Sequence, residues 1–117
     1  MSDLMASAPP DALLHKLRMA VEGEVHTNND LTLRQMAVAL TLYLSSDPQT
    51  VRGLARHLQV SKPAITRAFD RLSELGLMRR KVDPLDRRSV VAVRTAAGQA
   101  MVARLKVSLA AEANRAR

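Results

Sequence analysis

Residues 60–93 read VSKPAITRAFDRLSELGLMRRKVDPLDRRSVVAV, and the fold of the chain turns on them. Ser61 ahead of Lys62 and Pro63 predicts a helix start. A serine hydroxyl accepts from a first-turn backbone N–H, and proline lacks a donor where none is needed. Ile65, Ala68, Phe69, Leu72 and Leu75 then recur at three- and four-residue spacing, one buried face, and Gly76 supplies the stop. After Gly76 the period becomes extended. Leu77–Val82 and Ser89–Arg94 predict two strands, joined as a hairpin by the charged loop Asp83-Pro84-Leu85-Asp86-Arg87-Arg88.

On the N-terminal side, Thr50 predicts the cap of a short helix, Val51–Leu58, burying Val51, Leu54, Ala55 and Leu58. Only Gln59 and Val60 separate it from the next helix. Further back, Thr32 and Gln35 form a capping-box pair opening a helix over Leu33–Leu44, and Ser45-Ser46-Asp47-Pro48 closes it. Met36, Val38, Leu40, Leu42 and Leu44 make that helix apolar on several sides, so it is expected at the centre. Leu13, Leu14, Leu17, Val21 and Val25 mark one stripe of a first helix that starts at Pro10-Asp11 and breaks at Thr27-Asn28-Asn29-Asp30. From Thr95 a last helix carries Met101, Val102, Leu105 and Leu109 and runs out in residues 112–117.

The predicted fold is therefore mainly α with a small β-hairpin: two short helices joined by a tight turn, then a wing, a winged helix-turn-helix. A single domain over residues 1–117 is expected. Its core is residues 31–95, flanked by an N-terminal helix within 10–30 and a C-terminal helix within 96–117. The apolar stripes of these flanking helices are the candidate homodimer surface, since a small domain would otherwise leave them bare.

Composition narrows the function. The 117 residues carry formal charge +7, have Tyr43 and Phe69 as their only aromatics and contain no cysteine, which removes disulfides, thiolate catalysis and Cys-based zinc sites. No apolar run reaches the roughly 18–20 residues of a membrane span, and MSDLMASAPP lacks the pattern of a secretory signal, so a cytoplasmic location is expected. The charge is uneven: residues 1–50 sum to −3, residues 51–94 to +7 and residues 95–117 to +3. His15, His26 and His57 show no metal-ligand spacing, Asp83 and Asp86 have no nucleophile nearby, and no glycine-rich loop exists to cradle a phosphate. No enzyme, metal or cofactor is expected.

With Ile65, Ala68, Phe69, Leu72 and Leu75 turned inward, Lys62, Pro63, Thr66, Arg67, Asp70 and Arg71 lie on or beside the opposite face. A helix fits the major groove of double-stranded DNA, and its first turns reach base edges. Arg67 suits a guanine, Thr66 a thymine methyl or a phosphate, and Arg71 the backbone. Arg87 and Arg88 at the hairpin tip suit a narrow minor groove, with Asp86 expected to hold Arg88 extended through a carboxylate–guanidinium pair. Arg79, Arg80 and Lys81 are phosphate contacts at best. Recognition of single-stranded RNA would need more aromatic rings than two.

The segments LTLRQMAVALTLYL and TVRGLARHLQVSKPAITRAFDRLSELGLMRRKVDPLDRRSVVAVRTAAG, spanning about residues 31–98, resemble the MarR family of bacterial winged-helix transcription regulators. The resemblance implies that Ser61, Lys62, Pro63, Thr66 and Arg67 are recognition-helix contacts, and that Asp86 and Arg88 are the wing pair whose arginine enters the minor groove. It also exposes departures. The chain carries about one of the long C-terminal helices that usually interleave with a partner. Arg94 stands where the family generally has an apolar residue, so the strand end is expected to be more exposed or to bind phosphate. Many members sense phenolic ligands, yet Tyr43 and Phe69 offer little for stacking a small-molecule effector. The resulting expectation is a sequence-specific, homodimeric DNA-binding transcription regulator, its recognition helix at about residues 61–75 and its wing at residues 83–88. The alternative is a winged-helix assembly module without sequence-specific DNA contact.

Overall fold

Local side-chain caps set where the helices begin. In a computed structural model that describes residues 9–111, Thr32 accepts from the Gln35 N–H while Gln35 accepts from the Thr32 N–H, a reciprocal capping box. Thr50 accepts from the Gly53 N–H, and Ser61 from the Ala64 N–H. The elements are α1 (Pro10–His26), α2 (Leu33–Leu44), β1 (Gln49–Thr50), α3 (Val51–Leu58), α4 (Lys62–Glu74), β2 (Met78–Asp83), β3 (Asp86–Arg94) and α5 (Ala96–Ala110). Contacts divide the chain into two compact units, Leu31–Val102 and the segments on either side of it. The expected tail of the last helix, residues 112–117, lies outside the described residues.

In the Leu31–Val102 unit, Val38, Leu54, Ile65, Phe69, Leu72, Met78 and Met101 are fully buried. Removing any of them would leave a cavity costing about 2–5 kcal/mol. Within α2, Val38, Ala39, Leu42 and Tyr43 face inward, but Leu33 and Leu44 are 91% and 67% exposed, so this helix is apolar beyond the face it buries.

The sheet differs from the predicted hairpin in two ways. It has three antiparallel strands in the order β1-β3-β2, because Gln49 and Thr50 pair with Ala92 and Val91. Two residues are too few to show a period, so β1 leaves no sequence signal. In addition, β3 begins at Asp86 rather than Ser89, which places Asp86, Arg87 and Arg88 in the strand and leaves Pro84-Leu85 as the connection. Two aspartates make this compact: Asp83 Oδ1 accepts from the Leu85 N–H at 2.9 Å, and Asp86 Oδ1 from the Arg88 N–H at 3.1 Å. Their side chains do the work of loop backbone partners.

Tyr43 gathers the rest of this unit. Its hydroxyl donates to the Leu77 carbonyl at 2.6 Å and accepts from the Thr95 N–H at 3.0 Å. Thr95 in turn donates to the Gly76 carbonyl and accepts from the Gly98 N–H, which caps α5. The Arg94 guanidinium lies 5.8 Å from the Tyr43 ring centre and donates to the Leu42 and Ser45 carbonyls at 3.2 and 2.6 Å. The strand end is exposed at Arg94, as expected, and its guanidinium is tied to carbonyl oxygens of the chain itself. It fastens β3 to the carbonyl end of α2, where a cation complements the helix dipole.

In the second unit, Glu24 of α1 is buried at 2% exposure and accepts from Arg104 through Nε and Nη2, both at 2.9 Å. Asn29 and Thr27 also donate to it, at 3.0 and 3.4 Å. Burial, the largest single influence, pushes the Glu24 carboxyl up, but the Arg104 and Asn29 hydrogen bonds, the Arg104 charge and Thr27 together hold it below the ordinary value. The α1 stripe is not core: Leu14, Leu17, Val21 and Val25 are 59%, 50%, 44% and 49% exposed.

Candidate nucleic-acid interface

The turn between α3 and α4 is tight because Gln59 adopts the left-handed conformation (φ 58°), letting the Val60 N–H reach back to the Ala55 carbonyl at 3.0 Å. Helix α3 packs on α4. Ala64, Ile65, Ala68, Phe69 and Leu72 of α4 are buried. That leaves Lys62, Pro63, Thr66, Arg67 and Asp70 exposed, with Arg71 and Leu75 half-buried.

The exposed face is split. Lys62 and Thr66, on its wing-side edge, line a cavity of about 240 Å³ together with Arg88 and Ser89 of β3 and with Thr50 and Arg52. Arg67 lies on the other edge, in a separate hollow of about 200 Å³ shared with Thr32 and Arg34. Arg71 pairs with Glu74 at 3.6 Å along the helix. Ser61 uses its oxygen lone pair as the cap, which leaves its hydroxyl hydrogen free to donate. The structure thus brings Lys62, Thr66 and Arg88 together, and sets Arg67 and Arg71 apart from them.

Two expectations about the cations are corrected. Arg80 is not a free phosphate contact. Its guanidinium forms an ion pair with Asp70 and also reaches the Thr66 carbonyl at 3.4 Å, latching β2 to the exposed face of α4. Nor does Asp86 hold the Arg88 guanidinium: its carboxylate is taken by the Arg88 N–H and the Ser89 hydroxyl, because these backbone-near donors are closer than a long flexible side chain. The Arg87 and Arg88 side chains are exposed and have no ion-pair partner among the described residues.

Arg34 and Arg52 were not singled out by the sequence reading. A signal for Arg52 exists in hindsight. Acidic residues are favoured in the first turn of a helix, yet the first turns of α3 and α4 contain none and instead carry Arg52 and Lys62.

A family model described as the MarR family matches residues 29–89. No curated protein matches the chain. Among solved structures, the S. aureus MepR–DNA complex is similar with a TM-score of 0.69 at 23% identity, covering 80% of this chain and 76% of that one. A transcriptional regulator from Thermotoga maritima gives 0.65 at 24% identity, covering 85% and 71%. CouR from Rhodococcus jostii bound to p-coumaroyl-CoA gives 0.61 at 24% identity, covering 90% and 66%. At these identities the likeness establishes the fold, which is the winged helix.

Proposed function

The chain belongs to the MarR family of winged-helix transcription regulators, and from that premise we propose that it binds duplex DNA sequence-specifically as a homodimer. The observation that carries the reading is the convergence of Lys62 and Thr66 of α4 with Arg88 of the wing on one cavity. In this reading α4 enters the major groove, with Ser61, Lys62, Pro63, Thr66 and Arg67 at its leading end and Arg71 toward the backbone. The wing tip reaches the minor groove with Arg87 and Arg88, and Asp86 shapes that tip through its backbone contacts. A major-groove helix with arginine side chains beside the adjacent minor groove combines base readout with shape readout.

The exposed stripe of Leu14, Leu17, Val21 and Val25 supports a second copy as partner, since about half of each side chain is open to water. Two copies would set their α4 helices about 34 Å apart and read an inverted repeat. Selection of bound fragments from random duplexes tests this directly. Enrichment of a palindrome is the expected result, and recovery of unenriched sequence refutes specificity. Sedimentation at micromolar concentration is expected to give twice the chain mass; a monomer refutes the pairing.

A further inference from the structure

We propose that Arg52, Lys62 and Arg88 form a three-cation cup that seats one phosphodiester of duplex DNA, with Arg52 as its anchor. The proposal rests on the DNA-binding reading above. Three elements supply the three cations, α3, α4 and β3, and all three line the same cavity, whose lining contains no carboxylate. None of them has an ion-pair partner among the described residues, whereas Arg18, Arg71, Arg80 and Arg104 each have one. Two of the three occupy the first turns of helices, where the dipole disfavours positive charge. Like charges gathered at two positive helix ends oppose one another, and a bound anion relieves both conflicts.

Size and place favour a backbone phosphate over an organic effector. The cavity, about 240 Å³, is smaller than the roughly 300–1,000 Å³ of pockets that enclose organic ligands. It is also bounded by α4 on one side and the wing strand on the other. If the helix occupies the major groove and the wing the adjacent minor groove, the strand that separates the grooves passes between them. Lys62 and Arg88 then act from either side of that strand, with Arg52 and the Thr66 hydroxyl as further donors lining the same cavity.

The test is binding of a labelled duplex by the full chain across a salt series, read by fluorescence anisotropy. Arg52→Gln is expected to weaken binding several-fold, equally on selected and unrelated duplexes. The slope of log affinity against log salt should fall by about 1.8, the loss of one phosphate contact in each half-site of the dimer. Arg52→Lys should keep the wild-type slope, and Lys106→Gln, which removes the same charge elsewhere, should keep it too. Ethylation of single phosphates should reveal one position per half-site that matters to the wild type and not to Arg52→Gln. Inorganic phosphate should displace the duplex no better than chloride at equal ionic strength. If the wild type binds DNA while Arg52→Gln keeps its slope and ethylation pattern, the cup is wrong and the regulator reading stands. Preferential displacement by inorganic phosphate makes it a free-anion site and also overturns the cup. If the wild type binds no duplex, the regulator reading fails and takes the cup with it.

Discussion

Replacing Gly98 with alanine pits two known effects against each other, and their magnitudes decide the sign. Gly98 lies in the first turn of α5, and helix propensity alone makes Gly→Ala stabilising by up to about 0.8–1 kcal/mol. The local packing opposes this. A Cβ at Gly98 would overlap the Tyr43 Oη and Cζ atoms and come 2.5 Å from the Leu77 carbonyl oxygen. Tyr43 has little room to yield, because it is buried and both hydrogen bonds of its hydroxyl are made, to Leu77 and from Thr95. Overpacking costs about 1–3 kcal/mol, and breaking the two hydrogen bonds adds about 1 kcal/mol each. The net expectation is a loss of about 2–4 kcal/mol, a fall in Tm on the order of 10 °C or more. Urea denaturation followed by far-UV circular dichroism measures it. Tyr43→Leu removes the overlapping atoms, so the double variant should be more stable than the sum of the single losses by about 1 kcal/mol or more. A Gly98→Ala protein as stable as the wild type, or more so, would refute the close packing of α5 on Tyr43.

Other consequences follow from single contacts. The folded-state pKa of Glu24 lies below the ordinary 4.5, so its contribution is present above about pH 4.5 and fades as pH falls through the lower folded value. Glu24→Gln should cost about 1–2 kcal/mol at neutral pH and flatten the acid limb of the stability profile; an unchanged limb refutes the Arg104 pairing. Arg94→Gln should lose about 1–2 kcal/mol from its two carbonyl bonds and its ring contact, with the DNA salt slope unchanged. A lower slope at unchanged stability would make Arg94 a phosphate contact after all. Thr32→Ala should cost about 1 kcal/mol by opening the capping box, read as a lower urea midpoint at constant m-value.

What the sequence revealed follows from how local each signal is. Thr32, Thr50, Ser61 and Gly76 punctuate the helices through contacts three to five residues away, so the helix-turn-helix could be read from spacing alone. Strand β1 could not, since Gln49 and Thr50 acquire their conformation from pairing with Ala92 and Val91. The charged run 86–88 reads as loop by polarity, and it enters β3 only because Asp86 pairs with Asp83 across a register shift that leaves Arg87 and Arg88 without cross-strand partners. Glu24 and Arg104 are eighty residues apart, and nothing in either segment announces the other. At the candidate interface, residue types pointed to α4 and the wing. Whether a given arginine is free or tied is a tertiary fact: Arg80 is held by Asp70, whereas Arg52 has no partner among the described residues.

The latch between Arg80 and the α4 face has a bearing on how a target would be measured. Because β2 packs on the helix and is tied to it at Asp70 and at the Thr66 carbonyl, the position of the hairpin is coupled to that of the element beside it. In the proposed reading the pair behaves as a caliper with linked jaws. The number of base pairs between the two points of groove entry becomes a property of the protein, and a duplex whose local twist departs from that setting must itself be deformed to fit.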